Sequence, residues 1–224
     1  YRSSFVTVSG NTITNSRFGI GTSESFNNTF SGNTITTCQQ GIYMWDCSYI
    51  TASGNTISNT TEHGISLVVS AYCSFFANTI TISAMRGISI CNSTDCVVSG
   101  NTIKFTASQG IHTFYSSGHT ISDNTLTSNF VGLGFYMSSD STVFGNTMSQ
   151  SRTGITVTQA SNNIFYHNSI VDNQYQVVVQ NSINTWDDGY PSGGNYWSNY
   201  YGTCLLYTSP SPRDRTRSRM PSSA

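Results

Sequence analysis

One motif, Ser9-Gly10-Asn11-Thr12-Ile13, returns at an almost fixed interval and limits what this chain can become more than any other feature. Its Asn recurs at Asn11, Asn33, Asn55, Asn78, Asn101, Asn124, Asn146 and Asn168, with spacings of 22, 22, 23, 23, 23, 22 and 22 residues. Self-similarity at that period marks a solenoid, in which each unit buries its apolar face against its neighbours.

Three apolar columns run through the repeat. Two residues past each Asn stand Ile13, Ile35, Ile57, Ile80, Ile103, Leu126, Met148 and Ile170. Three residues before it stand Val8, Phe30, Ala52, Phe75, Val98, Ile121, Val143 and Phe165. The third column follows a Gly in nearly every unit: Ile20, Ile42, Ile65, Ile88, Ile111, Leu133 and Ile155, then Val177. Apolar residues often recur two positions later, as in Met44, Leu67, Ile90, Phe135, Val157 and Val179, which is the alternation of a half-buried strand. Three short strands per unit, each pairing with its counterpart in the next, make an all-β parallel β-helix over residues 1–183, with about eight turns spaced about 4.8 Å apart. The linking segments are rich in Ser, Thr, Asn and Gly, which favour turns over helices. From Asn78 to Asn124 each turn carries one extra residue between the Asn and the Gly, which lengthens one corner. The repeated Asn is expected to point inward and form a ladder of side-chain amides, while the Thr after it faces water.

Charged residues are only 8% of the chain. Nucleic acid, which needs clustered Lys and Arg, is therefore not an expected partner. No run of 18 apolar residues is present, so no transmembrane segment is expected. The chain starts at Tyr1 without an initiator Met or signal peptide and reads as a fragment. Residues 204–224 differ in kind, holding three of the four Pro and four of the nine basic residues. The string from Cys204 to Asp214, and Ser218 to Ala224 after it, looks like a translated sequencing adapter, and is set aside from the fold. The body then carries five basic and nine acidic residues (9 − 4 and 10 − 1), a net charge of −4.

Candidate sites are sparse. Trp45, Phe114 and Tyr136 each stand four residues after their Gly, with Tyr43 and Tyr115 beside them; such aromatics suit stacking on sugar rings, or else pack on neighbouring loops. The column is interrupted by Ser23, Val68, Cys91 and Thr158. Cys73, Cys96 and His119 share a position five residues before the Asn, read either as a partly buried stack of small polar residues or as ligands for a soft metal such as copper or zinc. Cys91 and Cys96 are a candidate local disulfide. Asp46, Asp95, Asp123, Asp140 and Asp172 are scattered, and Asp95 and Asp140 share a corner two turns apart, about 10 Å by strand spacing. That is a poor acid/base pair, so no catalytic residue is assigned.

The repeat is expected to stop after about residue 183. The stretch from Asn184 to Gly202, Asn-Thr-Trp-Asp-Asp-Gly-Tyr-Pro-Ser-Gly-Gly-Asn-Tyr-Trp-Ser-Asn-Tyr-Tyr-Gly, resembles the terminal motif of NosD-like β-helix proteins. The preceding Gly-Asn-Thr-Ile turns are similar to the carbohydrate-binding and sugar-hydrolase β-helix repeat class. Residues 184–203 read as a cap in which Trp186, Tyr190, Tyr196 and Trp197 cover the last turn. The resemblance implies a right-handed helix, an extracellular, cell-surface or periplasmic location, and copper as a possible cofactor. Three functions follow as expectations: a noncatalytic β-helix that binds polysaccharide or cell-surface glycan or acts as a scaffold; a lyase, hydrolase or epimerase of uronate-rich polysaccharide whose catalytic turns are missing; and metal delivery through Cys73, Cys96 and His119.

Overall fold

The computed structural model describes residues 2–189 and 193–199, and within them every regular element is a β-strand. The strands form three parallel sheets, of eight, nine and eight members. The first runs from Thr7–Ser9 to Ile164–Tyr166, the second from Thr12–Thr14 to Tyr196–Trp197, and the third from Phe18–Ser23 to Tyr175–Gln180. Equivalent residues of successive turns lie in register: Ile35 pairs with Ile57, Ile57 with Ile80 and Ile80 with Ile103. All four are fully buried. The three columns of the sequence thus become the three walls of one continuous apolar core.

The corners explain the rest of the motif. Gly54 takes a left-handed φ of 61° and turns the chain so that Asn55 points inward. An L-residue pays for that conformation, which is why Gly precedes so many of the ladder Asn. The inward Asn then satisfies the corner backbone. Asn55 accepts from the backbone N–H and Nδ2 of Asn33 at 3.0 Å each, and its own Nδ2 reaches the carbonyl of Phe30 at 2.9 Å. The same arrangement repeats at Asn78, Asn101, Asn124, Asn146 and Asn168. A second interior column is built from serines: the Oγ atoms of Ser70, Ser93 and Ser116 accept the backbone N–H of Cys47, Ser70 and Ser93 in turn.

The Gly that opens the third sheet has a different cause. A Cβ on Gly64 would stand 2.5 Å from Cγ2 of Ile80 and 2.7 Å from the Gly87 carbonyl oxygen. Close approach between two walls, and not backbone conformation, reserves that position for hydrogen.

Two sequence expectations change. The extra residue belongs to the turns beginning at Asn55, Asn78 and Asn101, where the second-sheet strands Thr56–Thr60, Thr79–Ser83 and Thr102–Thr106 have five residues in place of three. It extends a strand instead of a loop. The repeat also runs past residue 183. Asn195 accepts from the backbone N–H and Nδ2 of Asn168 at 3.1 and 2.9 Å, and Tyr196–Trp197 pairs with Ser169 and Ile170. Thr185 bridges to Ile164, and Trp186 stacks on Phe165 with ring centroids 4.5 Å apart. The terminal motif is therefore a ninth turn carrying an excursion between Asp187 and Gly194. Trp186 and Trp197 pack on the core, Tyr196 is exposed, and Tyr190 lies outside the described residues, as does the whole of 204–224.

Candidate functional site

Strands of the third sheet alternate between core and water, so one column in two faces outward. Register places Tyr43, Ser66, Ser89, His112, Gly134 and Thr156 side by side along that outer face. At one margin run the residues just before the sheet's Gly: Gln40, His63, Arg86 and Gln109. At the other margin runs the aromatic column. Phe114 stacks on Tyr136 with centroids 5.4 Å apart and planes 16° from parallel, and Tyr115 meets Phe114 edge-on at 4.4 Å.

Of the five aromatics picked from the sequence, Phe114, Tyr115 and Tyr136 are brought together. Tyr43 stacks instead on Phe18 at 4.7 Å. Trp45 is exposed and pairs with Val68, which leaves it three turns from Phe114. A separate exposed stack, Tyr49 on Tyr72 at 5.2 Å, lies at the next corner.

The polar margin has a definite charge arrangement. Glu62 accepts from Nε2 of Gln39 and of Gln40, both at 2.7 Å, and these bonds hold its carboxyl below the usual range. Arg86 turns the other way, donating from Nε to Oε1 of Gln109 at 2.9 Å. His63 lies between them. Burial, with the Arg86 charge adding to it, lowers the His63 imidazole to about 4. Burial and Arg86 likewise lower His112 to about 3. Both rings are neutral at pH 7. The Nδ1 atoms of His63 and His112, and Oε1 of Gln40, are buried without a hydrogen-bond partner.

His112 is only 6% exposed although its side chain stands on the outer face. The reason is Gly134 in the next turn, whose missing side chain leaves room: a Cβ there would lie 3.4 Å from Cδ2 of His112 and 3.0 Å from Cγ of Gln109. Sequence inspection did not single out His63 or Arg86. Aligning the chain on its third-sheet Gly instead of on Asn would have shown the column Gln40, His63, Arg86, Gln109 as large and polar.

Cys73, Cys96 and His119 do share one column, but it faces the sealed interior, where all three are at most 1% exposed. The thiols of Cys73 and Cys96 donate to the carbonyls of Ala71 and Thr94 at 3.4 and 3.2 Å, and Nδ1 of His119 accepts the Cys96 N–H at 3.2 Å. His119 thus stands in for a ladder Asn. Among the described residues no group of three or more His, Cys, Asp and Glu is placed to hold a metal ion. Cys91 is half-buried and Cys96 fully buried, and both are free thiols; the local disulfide does not form. Asp95 and Asp140 share a corner with the Gly118 turn between them, and Asp140 accepts from Nδ2 of Asn162 at 3.2 Å.

Stacked parallel sheets closed around one core, with a polar and aromatic outer face, define a parallel β-helix protein. A sequence model of the family described as periplasmic copper-binding protein (NosD) matches residues 1–131 and 78–202. The chain belongs to the NosD family. No curated protein sequence matches it. Among solved structures it is similar to the periplasmic alginate epimerase AlgG, with a TM-score of 0.68 and 17% identity over 79% of this chain and 50% of that one. DFA-IIIase from Arthrobacter chlorophenolicus A6, in complex with GF2, gives 0.68 and 16% over 84% and 58%. The tailspike of E. coli bacteriophage HK620, in complex with a pentasaccharide, gives 0.63 and 13% over 80% and 41%. At these identities the likeness is one of fold, and this chain spans about half the length of those proteins.

Proposed function

We propose that the chain is an exported β-helix that binds polysaccharide along the outer face of its third sheet, without itself carrying out catalysis. The observation that carries this is the Phe114, Tyr115 and Tyr136 cluster, part-exposed at one margin of the sheet beside Thr156 and Thr158. Flat aromatic faces supply apolar contact for sugar rings, and the hydroxyls of Thr156 and Thr158 beside them supply hydrogen bonds. The periplasmic description of the family and the sugar-active fold neighbours support the location and ligand class. Calorimetry against a glycan panel tests it. Phe114→Ala with Tyr136→Ala should weaken binding by about tenfold or more, the scale of losing stacked aromatics. Unchanged affinity in that variant sinks the proposal.

A second reading, an enzyme of uronate-rich polysaccharide, is favoured by the neutral His63 and His112 flanking Arg86. Reducing ends released from substrate by this chain would select it. The family's copper association has no support from the described donors; copper retained by the chain and lost in Cys96→Ser would restore it.

A further inference from the structure

We infer that the polysaccharide taken by this face is acidic, with a sugar carboxylate seated at Arg86 and following rings lying toward Phe114 and Tyr136. This rests on the binding reading above and adds the class of ligand.

The body carries five basic residues. Arg2 pairs with Glu24, and Arg17 and Arg152 lie over the rings of Phe18 and Phe130. Lys104 stands on the outer side of the second sheet, a solvated position. Burial lowers the Arg86 guanidinium from its ordinary value. It is half-buried, its Nε is taken by Gln109, and among the described residues no carboxylate pairs with it. Glu62, one turn away, is drawn back toward Gln39 and Gln40. A partly desolvated cation without an anion is costly, and no described residue supplies the anion.

The geometry around that charge favours a carboxylate. With Nε engaged on one side, the guanidinium keeps its two terminal nitrogens, whose parallel N–H groups match the two oxygens of a carboxylate. Gln109 begins the strand that ends at Phe114, five residues on, or roughly 16 Å at strand rise. The face is therefore longer than one sugar, with charge at one margin and stacking at the other.

The test is calorimetry at low salt with short oligosaccharides of mannuronate, guluronate, galacturonate and glucuronate, each beside its carboxyl-reduced counterpart, and with one sulfated oligosaccharide. At least one acidic probe should bind about tenfold tighter than its reduced form, the scale of a charge-assisted pair. Arg86→Gln, which keeps an amide for Gln109, should erase that difference by weakening the acidic probe far more than the reduced one; Arg86→Lys should restore part of it. Equal binding of acidic and reduced probes by the native chain, equal losses on both in Arg86→Gln, or preference for the sulfated probe overturns the inference while leaving polysaccharide binding intact. Failure of every probe, acidic and neutral, overturns the binding reading itself.

Discussion

The side-chain oxygen of Asn124 accepts both the backbone N–H and the Nδ2 of Asn101, each at 2.9 Å. Asn101 does the same for Asn78, at 3.0 Å in both bonds, and also donates to the Phe75 carbonyl at 2.9 Å. Asn101→Ala therefore strands several buried groups at once, and should cost about 3 kcal/mol or more, since each costs about 1–3. Asn11 is exposed and no donor reaches its oxygen from a preceding turn, so Asn11→Ala should cost under about 1 kcal/mol. Urea unfolding of the two variants measures the difference. Equal losses would mean that the amide column contributes nothing cooperative.

Gly64→Ala is expected to destabilise by about 1–3 kcal/mol or beyond, because its methyl would meet Ile80 and the backbone of Gly87 together. Gly32→Ala tests the other cause: nothing lies within 4 Å of its Cβ, but φ is 61°, so it should cost about 1–2 kcal/mol through conformation alone. Thermal unfolding of both variants, with Ile80→Ala added to each, separates the causes. Only the Gly64 variant should be partly rescued.

Thr113 is fully buried between Ile90 and Phe135 of the adjacent turns, and its hydroxyl has no partner. Replacing it by an isosteric apolar side chain removes the orphan without making a cavity. Thr113→Val should stabilise by about 1 kcal/mol. A loss of stability on chemical denaturation would show that the hydroxyl has a role inside the tube.

Ile82 takes a φ of 56° while 55% exposed. A β-branched residue is strained there, whereas Asn tolerates the left-handed region. Ile82→Asn should gain up to about 1 kcal/mol by the same measurement; a neutral or negative result would place compensating contacts around Ile82.

His119 gives the chain a sensitivity to acid. Burial lowers its imidazole from the ordinary 6.5 to about 4, with Asp95 opposing. Near pH 7 neither the folded nor the unfolded chain binds that proton, so no proton-linked loss of stability arises there. Below about 6.5 the unfolded chain takes up the proton first, so stability falls until the folded ring titrates near 4, by about 3 kcal/mol in all. Asn28 and Asn163 occupy the same column, so His119→Asn supplies the acceptor in its accustomed form. The variant should keep its stability at pH 7 and lose less than the native chain at about pH 4.5. An identical acid loss in both would place the sensitivity at His63, His112 or the carboxylates.

Much of the tube was legible from the sequence because a solenoid writes its register into the chain as a period. Ile35, Ile57 and Ile80 are neighbours in space for the same reason that they are equidistant in sequence. The ninth turn was not legible, because the excursion after Trp186 stretches the Asn168 to Asn195 spacing to 27 residues. Gly194-Asn195-Tyr196-Trp197 nevertheless repeats the pattern Gly, Asn, polar, apolar. The candidate site was only half legible. Phe114 and Tyr136 announce themselves by residue type, whereas Arg86 gains its meaning from two facts that no spacing reveals, the hydrogen bond to Gln109 and the turning away of Glu62. Cys73, Cys96 and His119 form the buried stack that was one of their two readings, and they lie deeper than the sequence suggests because the whole column faces the interior.

The excursion between Asp187 and Gly194 interrupts the chain without shifting what lies above or below it: Asn195 still meets Asn168, and Trp197 still sits over Ile170. Each storey is fastened only to its immediate neighbours, so foreign segments can be spliced into a corner there at little cost to the rest. A tube built this way is a shelf on which new loops can be tried one storey at a time, with the wall behind them left untouched.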